Sequence, residues 1–166
     1  MPKLIDISIP NLKITQQEIQ KYGDEAFPRI KYGFLQFLTF LADQARLRCP
    51  VKTGHLQSSI QGQISKETPG EIEGRVGTNI KYGPYVECGT GIYGPNKSMI
   101  VPKKKKVLVW VSTGPRPTTK AGWKQASAEG RVVVAKAVKG MPPRPYLLPA
   151  VLENLDKIVE FLKRYL

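Results

Sequence analysis

The stretch AFPRIKYGFLQFLTFLADQARLR, residues 26–48, decides the fold because it is a long amphipathic segment. Its apolar residues recur at steps of three and four positions, which places them on one face of a helix. Pro28 fits the first helical turn, and Pro50 ends the segment. Gly33 costs such a helix about 1 kcal/mol relative to alanine, so we expect a close contact there. The predicted buried face consists of Phe27, Ile30, Phe34, Leu38, Leu41 and Ala45.

Four β-type segments follow this helix. Ser58–Ser65 and Glu71–Gly77 alternate apolar and polar residues on either side of a Pro-Gly turn, which predicts a hairpin. Val107–Ser112 and Arg131–Val138 are rich in valine and predict two further strands. The intervening residues 112–130 are too long for a tight turn, so we expect a loop that is mobile or ordered by a partner.

The two ends of the chain carry their own patterns. Residues 3–20 begin with alternating Leu4, Ile5, Ile7 and Ile9, which predict a short strand or arm. From Tyr146 onward a C-terminal helix is predicted, with one apolar face made of Leu148, Leu152, Leu155, Val159, Leu162 and Leu166.

Together these segments predict an α+β fold. Its N-terminal amphipathic helix and its C-terminal helix would pack on an antiparallel β-sheet, without βαβ alternation. We expect a single domain over residues 1–166. It would consist of an N-terminal arm (1–25), a helix with a β-hairpin and a short connecting segment (26–91), a long basic β and loop excursion (92–140), and the C-terminal helix (141–166).

Composition narrows the class of protein. With 166 residues, 41% apolar and 23% charged, the chain suits one globular domain with a core. Its start lacks the features of a secretory signal, so we expect the mature protein to begin near Met1. No apolar run is long enough to span a membrane, which predicts a soluble protein made in the cytosol. Cys49 and Cys88 lack CxxC spacing, which predicts two reduced, buried thiols.

The basic residues are concentrated in one segment. The net charge is +13, and residues 101–140 contain ten Lys and Arg but Glu129 as the one acidic residue. Such asymmetry predicts a polyanionic partner for this segment, either nucleic acid or an acidic protein face. The alternative is a solvated loop kept soluble by its lysines. The candidate contact residues are Lys103, Lys104, Lys105, Lys106, Arg116, Lys120 and Lys124.

Catalytic chemistry finds little support. His55, the one histidine, lies beside Ser58 and Ser59 and could act as their general base. The sequence offers no nucleophile elbow or partner motif to complete such a site. A single histidine excludes multi-histidine zinc sites, and no clustered carboxylates suggest a two-metal nuclease. We therefore expect no catalytic, cofactor or metal site.

Two further features have structural explanations. Gly89–Gly94 spells the dinucleotide motif GxGxxG, but Pro95 follows and residues 100–128 lack an acid, so a glycine-rich turn is favoured. Trp110 and Trp123 could stack on bases, but no RNA-binding aromatic motif accompanies them. Core packing is predicted for Trp110, and a more open position in the loop for Trp123.

Three separated segments carry a resemblance to a known family. They are PVKTGHLQSSI (50–60), KYGPYVECGTG (81–91) and PPRPYLLPAV (142–151). In this order they resemble the neck or tail-completion proteins of tailed bacteriophages, minor head-tail connectors of the "gene product ten" type of lambdoid phages. The matching residues are Thr53, Gly54, Leu56, Ser59 and Ile60 in the first segment, Tyr82, Tyr85, Val86, Glu87, Gly89 and Thr90 in the second, and Pro145, Tyr146, Leu147, Pro149 and Ala150 in the third.

The resemblance implies a non-enzymatic virion protein of the neck, assembled in the cytoplasm of the host bacterium. It implies a ring-like homo-oligomer at the portal vertex that contacts the head-tail connector, head-closure and tail-terminator proteins, with no membrane contact. The role of residues 92–140 is not implied by the resemblance; their charge predicts that the basic excursion contacts packaged DNA or an acidic adjoining ring. Two alternatives remain open: a small basic nucleic-acid-binding protein, and a hydrolase that uses His55.

Single residues in these motifs also have expected roles. Thr53 and Gly54 form a turn that redirects the chain from helix to strand, with Gly54 at positive φ and the Thr53 hydroxyl bonded to nearby backbone. Glu87 is either fixed by backbone amides or faces a neighbouring subunit. His55 lies at a variable position of the motif, which favours exposure.

Overall fold

The computed structural model describes residues 13–15, 27–68, 71–103 and 105–165. The chain divides into two compact units, Met1–Glu87 with Arg144–Leu166, and Cys88–Pro143. The excursion predicted at residues 92–140 lies within the second of these units. The pattern at Leu4, Ile5, Ile7 and Ile9 lies outside the described residues.

The first unit is a helical layer on a three-stranded antiparallel sheet, which confirms the predicted α+β class. The sheet has the order β1–β3–β2. Its strands are β1 (Lys13–Thr15), β2 (Ile60–Thr68) and β3 (Glu71–Thr78). The predicted hairpin is β2–β3, which pairs from Ile60 opposite Thr78 to Thr68 opposite Glu71.

Helix α1, Phe27–Arg48, is the segment predicted from its periodicity. It buries Ile30, Phe34, Leu38, Leu41 and Ala45, five of the six residues of the predicted face, and Phe27 packs at the margin of the core. The strands approach the helix closely, because a Cβ at Gly62 would overlap the Leu38 carbonyl group. Ile60, Ile72 and Val76 complete the buried surface from the sheet side.

The C-terminal region departs from the predicted single helix. It consists of α5 (Leu147–Leu152), a 3₁₀ turn (Leu155–Lys157) and α6 (Ile158–Lys163). The predicted apolar face is wrong at three positions, since Leu148, Leu152 and Val159 are exposed. The prediction is confirmed at Leu155 and Leu162, and Leu166 lies outside the described residues. The residues that pack inward are Leu147, Ala150, Val151, Asn154, Leu155, Ile158, Phe161 and Leu162.

The close contact expected at Gly33 is present. A Cβ at this position would lie 2.9 Å from Cδ2 of Tyr165 and 3.3 Å from the Phe161 carbonyl oxygen. Phe161 also packs on α1 through Phe37 and Phe40, with ring centroids 5.6 Å and 5.2 Å apart. The glycine thus lets the end of the chain lie directly on α1, which offsets its cost in helix propensity.

The second unit is built around a small ribbon. Strands β4 (Leu108–Val111) and β5 (Val132–Ala135) pair antiparallel, at the two places where valine-rich strands were predicted. An isolated bridge joins Ile100 to Val138. The unit also contains a 3₁₀ turn at Gly91–Tyr93.

The prediction that residues 112–130 form a loop is wrong in part. Helix α4, Lys120–Ala128, occupies its second half. Thr119 caps this helix, because its hydroxyl accepts a hydrogen bond from the Gly122 amide at 3.1 Å. Trp123 consequently lies half-buried on a helix and not in an open loop.

Candidate assembly site

The first motif forms the turn between α1 and β2. Gly54 has a φ of 77° and precedes the short helix α2, His55–Ser58, whose Leu56 is buried. This confirms the predicted positive φ, which glycine adopts without steric cost. Thr53 is exposed, and no hydrogen bond of its hydroxyl is found within the described chain. The hydrogen bond to nearby backbone that was expected of the Thr53 hydroxyl is made instead by the Ser59 hydroxyl.

Ser59 fixes the end of this turn to the sheet. Its hydroxyl donates to the Leu56 carbonyl at 2.7 Å and lies 2.5 Å from the hydroxyl of buried Thr78. Thr78 in turn accepts a hydrogen bond from the Ile80 amide at 3.1 Å. The motif therefore joins α2 to the end of β3 through a chain of hydroxyl groups, which is a structural role.

His55 is exposed, as predicted. The hydroxyl of Ser58 donates to the backbone carbonyl of His55 at 3.1 Å, and that of Ser59 is engaged with Leu56 and Thr78. Both serine hydroxyls thus have backbone or hydroxyl partners instead of the imidazole.

Glu87 is a buried carboxylate held by three backbone amides. It ends the part of α3 (Gly83–Cys88) that belongs to the first unit, and it is only 7% exposed. Its Oε2 accepts hydrogen bonds from the amides of Tyr146 at 2.8 Å and Leu147 at 3.0 Å, and its Oε1 accepts one from Leu148 at 2.9 Å. Of the two alternatives left open by the sequence, the structure thus shows the backbone amides.

These three contacts explain why the second and third motifs occur together. The first amide groups of a helix have no partner within the helix and carry a partial positive charge. The Glu87 carboxylate supplies both acceptors and a negative charge at the start of α5. Pro149, the next residue of that helix, has no amide hydrogen to satisfy.

The two cysteines differ in environment. Cys49 is buried, and both cysteines are free thiols. Burial raises the pKa of the Cys49 thiol, and the negative charge of Glu87 raises it further. Cys88 is exposed, so the prediction of two buried thiols is wrong for this residue.

The remainder of the second motif, Gly89–Gly91, pairs with residues 139–143 at the end of the second unit. The Thr90 amide donates to the Met141 carbonyl, and the Met141 amide donates to the Thr90 hydroxyl, both at 2.9 Å. Gly89 and Gly91 have φ values of 76° and 65°, and added side chains there would overlap the backbone of residues 139–143. The GxGxxG spelling is thus a glycine-rich turn, as predicted, that pairs with the returning chain.

Several motif residues lie on the surface. Tyr82 and Tyr85 are 46% and 58% exposed, whereas Tyr146 and Leu147 are buried and Pro145 is exposed. Leu47 and Leu152 are exposed as well, and each precedes a member of the ion pair between Arg48 and Glu153. Exposed aromatic and aliphatic side chains of this kind are typical of protein interfaces.

The basic residues of the second unit are not all equivalent. Lys103, Lys105 and Arg116 line one open groove of about 620 Å³, together with Trp123, and the Arg116 guanidinium lies 6.0 Å from the centre of the Trp123 ring. The exposed side chains of Lys106, Lys120 and Lys124 do not line this groove. Lys104 lies outside the described residues.

The unit has almost no internal charge compensation. Residues 88–143 contain eleven Lys and Arg against Glu129 as the one acidic residue. That carboxylate is engaged by the Arg131 guanidinium at 2.5 Å and by the Gln125 amide, and these hydrogen bonds lower the pKa of Glu129. No carboxylate of the unit is therefore left for the cations of the groove.

The ribbon β4–β5 presents apolar side chains outward. Val109 and Val134 face each other across the ribbon and are 45% and 59% exposed. Trp110 is 39% exposed, so the prediction that it packs in a core is wrong. Sequence alone did not show that this strand pairs, among the described residues, in a ribbon of two strands.

Within residues 13–15, 27–68, 71–103 and 105–165, no cluster of three or more His, Cys, Asp or Glu could hold a metal ion. No helix in this part of the chain has the length and apolar character that a membrane span requires.

Comparison with known families bears on the phage resemblance that was predicted from the sequence motifs. Residues 15–89 match the profile of the HK97-gp10-like family, described as "Bacteriophage HK97-gp10, putative tail-component". This segment is HK97-gp10-like. The predicted resemblance to phage neck and tail-completion proteins is thereby confirmed over the first motif and over the second as far as Gly89, and the third motif lies outside the match. The match indicates a phage structural component of the tail or head-tail region, located in the virion. Neither the curated proteins nor the solved structures give a significant match.

The HK97-gp10-like match has a defined extent in the fold. It runs from the last residue of β1 through α1 and the hairpin to the turn after Glu87. It covers less than half of the chain and leaves residues 90–143 of the second unit outside. The role of the basic ribbon and groove therefore has to be argued from their own chemistry.

Two residues that support the site escaped sequence reasoning. Thr78 is buried at the end of β3, and Asn154 is buried with its side-chain amide donating to the Ala150 carbonyl at 2.8 Å. Asn154 lies two residues after the end of α5, at a position where continued helical periodicity would call for an apolar residue. A short polar residue that interrupts such a face is the signal that could have indicated a helix end.

Proposed function

We propose that the protein is a non-enzymatic structural protein of the head-tail joining region of a tailed phage or prophage. It acts in neck or tail completion by assembling as a ring of identical copies at the portal vertex. The observation that carries this proposal is the HK97-gp10-like match over residues 15–89, which include α1 and the hairpin β2–β3 of the first unit. Ring assembly follows from the rotational symmetry of the vertex, which repeats one head-to-tail contact around a closed circle.

The surface of the first unit supports an assembly role. Tyr82 and Tyr85 flank the segment that leads to Glu87, and both keep about half of their surface exposed. Glu87 itself holds this segment rigidly against α5, so the tyrosines are presented from a fixed backbone. Rigid, exposed aromatic residues are the anchors that protein interfaces use most often.

The partners in this proposal are copies of the chain itself and the head-tail connector, head-closure and tail-terminator proteins. These partners would be met during assembly in the host cytoplasm, and the product would remain in the virion. The basic second unit would then face either packaged DNA or an acidic adjoining ring.

A second candidate function has one specific observation in its favour. Eleven Lys and Arg against Glu129 in residues 88–143 would suit a small nucleic-acid-binding protein. Such a protein would bind single-stranded or duplex DNA with an affinity that falls steeply with salt concentration, because phosphate contacts release counterions. Binding that is weak at low salt, or insensitive to salt, would argue against this candidate.

The deciding experiment uses a phage or inducible prophage that carries this gene. An early stop codon should produce unjoined heads and tails in electron micrographs of the lysate, and the wild-type gene on a plasmid should restore joined particles. Normal infectious particles from the stop mutant would overturn the proposal. Complementation with Tyr82→Ser/Tyr85→Ser then tests the surface, with Tyr93→Ser, an exposed tyrosine of the other unit, as the control.

A further inference from the structure

The second unit buries almost none of its own apolar side chains. Ala126 is the one buried apolar side chain among its described residues. Every member of the main hydrophobic cluster belongs to the first unit. Folding units of this size normally depend on a core of their own or on a partner. Apolar surface left open on this scale marks a binding surface.

Both faces of the ribbon are apolar. Leu108, Trp110, Val133 and Ala135 lie on one face, and Val109, Val111, Val132 and Val134 lie on the other. Strands with apolar residues on both faces are typical of sheets covered on both sides. Within the described residues, β4 pairs on one edge only, so its second edge presents unpaired backbone groups.

The groove lies along this strand. Val107, Leu108 and Val109 line it, and Pro102 and Trp123 extend the apolar lining. Lys103, Lys105 and Arg116 supply positive charge to the same groove. An occupant must therefore offer negative charge and apolar side chains together.

We propose that this groove binds an extended acidic segment of another virion protein, in which carboxylate and apolar side chains alternate. Such a segment adds a strand to the free edge of β4, places its apolar side chains on Val107–Val109, and directs its carboxylates to Lys103, Lys105 and Arg116. Successive side chains of a strand point to opposite sides, which suits an alternating sequence.

Charge decides against the competing occupants. A second copy of this unit would bring the same excess of Lys and Arg to the contact, which is repulsive. Nucleic acid would satisfy the cations but would leave Val107, Leu108 and Val109 facing phosphates and sugars. An acidic polypeptide with apolar side chains satisfies both halves of the groove.

The inference rests on the proposed function only in naming a virion protein as the source of the segment. The test uses the purified full chain and needs no phage particle. A failure of peptide binding would leave the joining role intact, and a normal phenotype of the stop mutant would leave the binding result intact. The two ideas can therefore fail separately.

The probe is a fluorescein-labelled peptide of alternating glutamate and valine, about ten residues long, which spans about 33 Å when extended. Fluorescence anisotropy measures its dissociation constant for the wild-type chain and for two double variants. Lys103→Glu/Lys105→Glu changes the groove. Lys120→Glu/Lys124→Glu makes the same change of net charge at exposed positions of α4 that do not line the groove.

The groove variant should weaken binding at least about tenfold, equivalent to about 1.4 kcal/mol, and the α4 variant by less than about threefold. A glutamate-serine peptide should bind the wild-type chain at least about tenfold more weakly than glutamate-valine, because it cannot bury methyl groups on the valines. Circular dichroism of each variant confirms an unchanged fold.

Four results would overturn the proposal. They are absence of binding by the glutamate-valine peptide, equal binding of the two peptides, equal weakening by the two double variants, and tighter groove-dependent binding of a single-stranded or duplex DNA oligonucleotide. The last result would assign the groove to nucleic acid. The first would leave the lysines as solubilising residues.

Discussion

Replacing Glu87 tests whether one buried carboxylate holds the start of α5. Oε2 of Glu87 accepts two backbone amides and Oε1 accepts one, at 2.8–3.0 Å. Glu87→Gln keeps the shape of the side chain but replaces one oxygen by an NH₂ group. The favourable orientation keeps the remaining oxygen on Tyr146 and Leu147 and turns the NH₂ group toward the Leu148 amide, where two donors meet.

The magnitude follows from the number of hydrogen bonds lost. A hydrogen bond to a charged group contributes about 1.5–3 kcal/mol, and removal of the buried charge recovers part of its desolvation cost. We expect Glu87→Gln to lower the free energy of unfolding by about 2 kcal/mol. Glu87→Ala removes all three acceptor contacts and leaves buried amides without partners, so about 4 kcal/mol is expected.

The assay is urea unfolding followed by far-ultraviolet circular dichroism. This signal reports the first unit through α1, whereas both tryptophans, Trp110 and Trp123, lie in the second unit. Glu153→Gln is the matched control, since this exposed carboxylate makes an ion pair with Arg48 and should contribute less than about 0.5 kcal/mol. A Glu87→Gln variant as stable as the control, or an alanine variant no worse than glutamine, would refute the reasoning.

Three further predictions address the turn, the sheet and the thiols. Gly62→Ala should cost at least about 2 kcal/mol in urea unfolding because its Cβ overlaps the Leu38 carbonyl. The control is Gly54→Ala, which should cost about 1 kcal/mol because the site is open and only the positive φ opposes a side chain. Equal losses of unfolding free energy in Gly62→Ala and Gly54→Ala would contradict the close approach of helix and sheet. Ser59→Ala should lower the free energy of unfolding by about 1 kcal/mol, and the exposed control Ser58→Ala should lower it by less than half of that in the same assay. A larger loss in Ser58→Ala than in Ser59→Ala would contradict the link between Ser59 and Thr78. Towards an aromatic disulfide reagent, Cys88 should react at least about tenfold faster than Cys49. Because the pKa of Cys49 is raised, its thiolate fraction at a given pH is lower than that of an ordinary thiol, and its labelling rate should keep increasing to higher pH than that of free cysteine. A slow phase that is lost in Cys88→Ser would contradict the assignment.

The elements predictable from sequence were those whose signal is local. Helix α1 has an uninterrupted apolar face and a proline after its last residue, so its bounds followed from periodicity. The hairpin β2–β3 alternates over enough residues to indicate one buried face. The positive φ of Gly54 likewise follows from a turn motif within a few residues.

The C-terminal face could not be chosen from local pattern. Leu147 and Leu148 are adjacent, so two leucine-containing stripes compete, and the inward stripe includes Ala150 and Asn154, which makes it the less hydrophobic of the two. The contact that orients α5 comes from Glu87, about sixty residues earlier in the chain. Helix α4 was missed for another reason: Pro117 and Gly122 obscured the capping signal of Thr119.

The way the chain leaves and re-enters the first unit has a consequence for how such proteins can diversify. The Arg144 amide donates to the Val86 carbonyl at 2.8 Å, so residues on either side of the second unit are hydrogen-bonded neighbours. Doubling the length of a segment between two such fixed points costs only about 0.6 kcal/mol of loop-closure entropy. A phage lineage can therefore lengthen, shorten or exchange the segment from Cys88 to Pro143 and retain the joint at Glu87. The stretch that forms the basic groove and the stretch that joins Glu87 to its backbone amides are thereby separate parts of one gene.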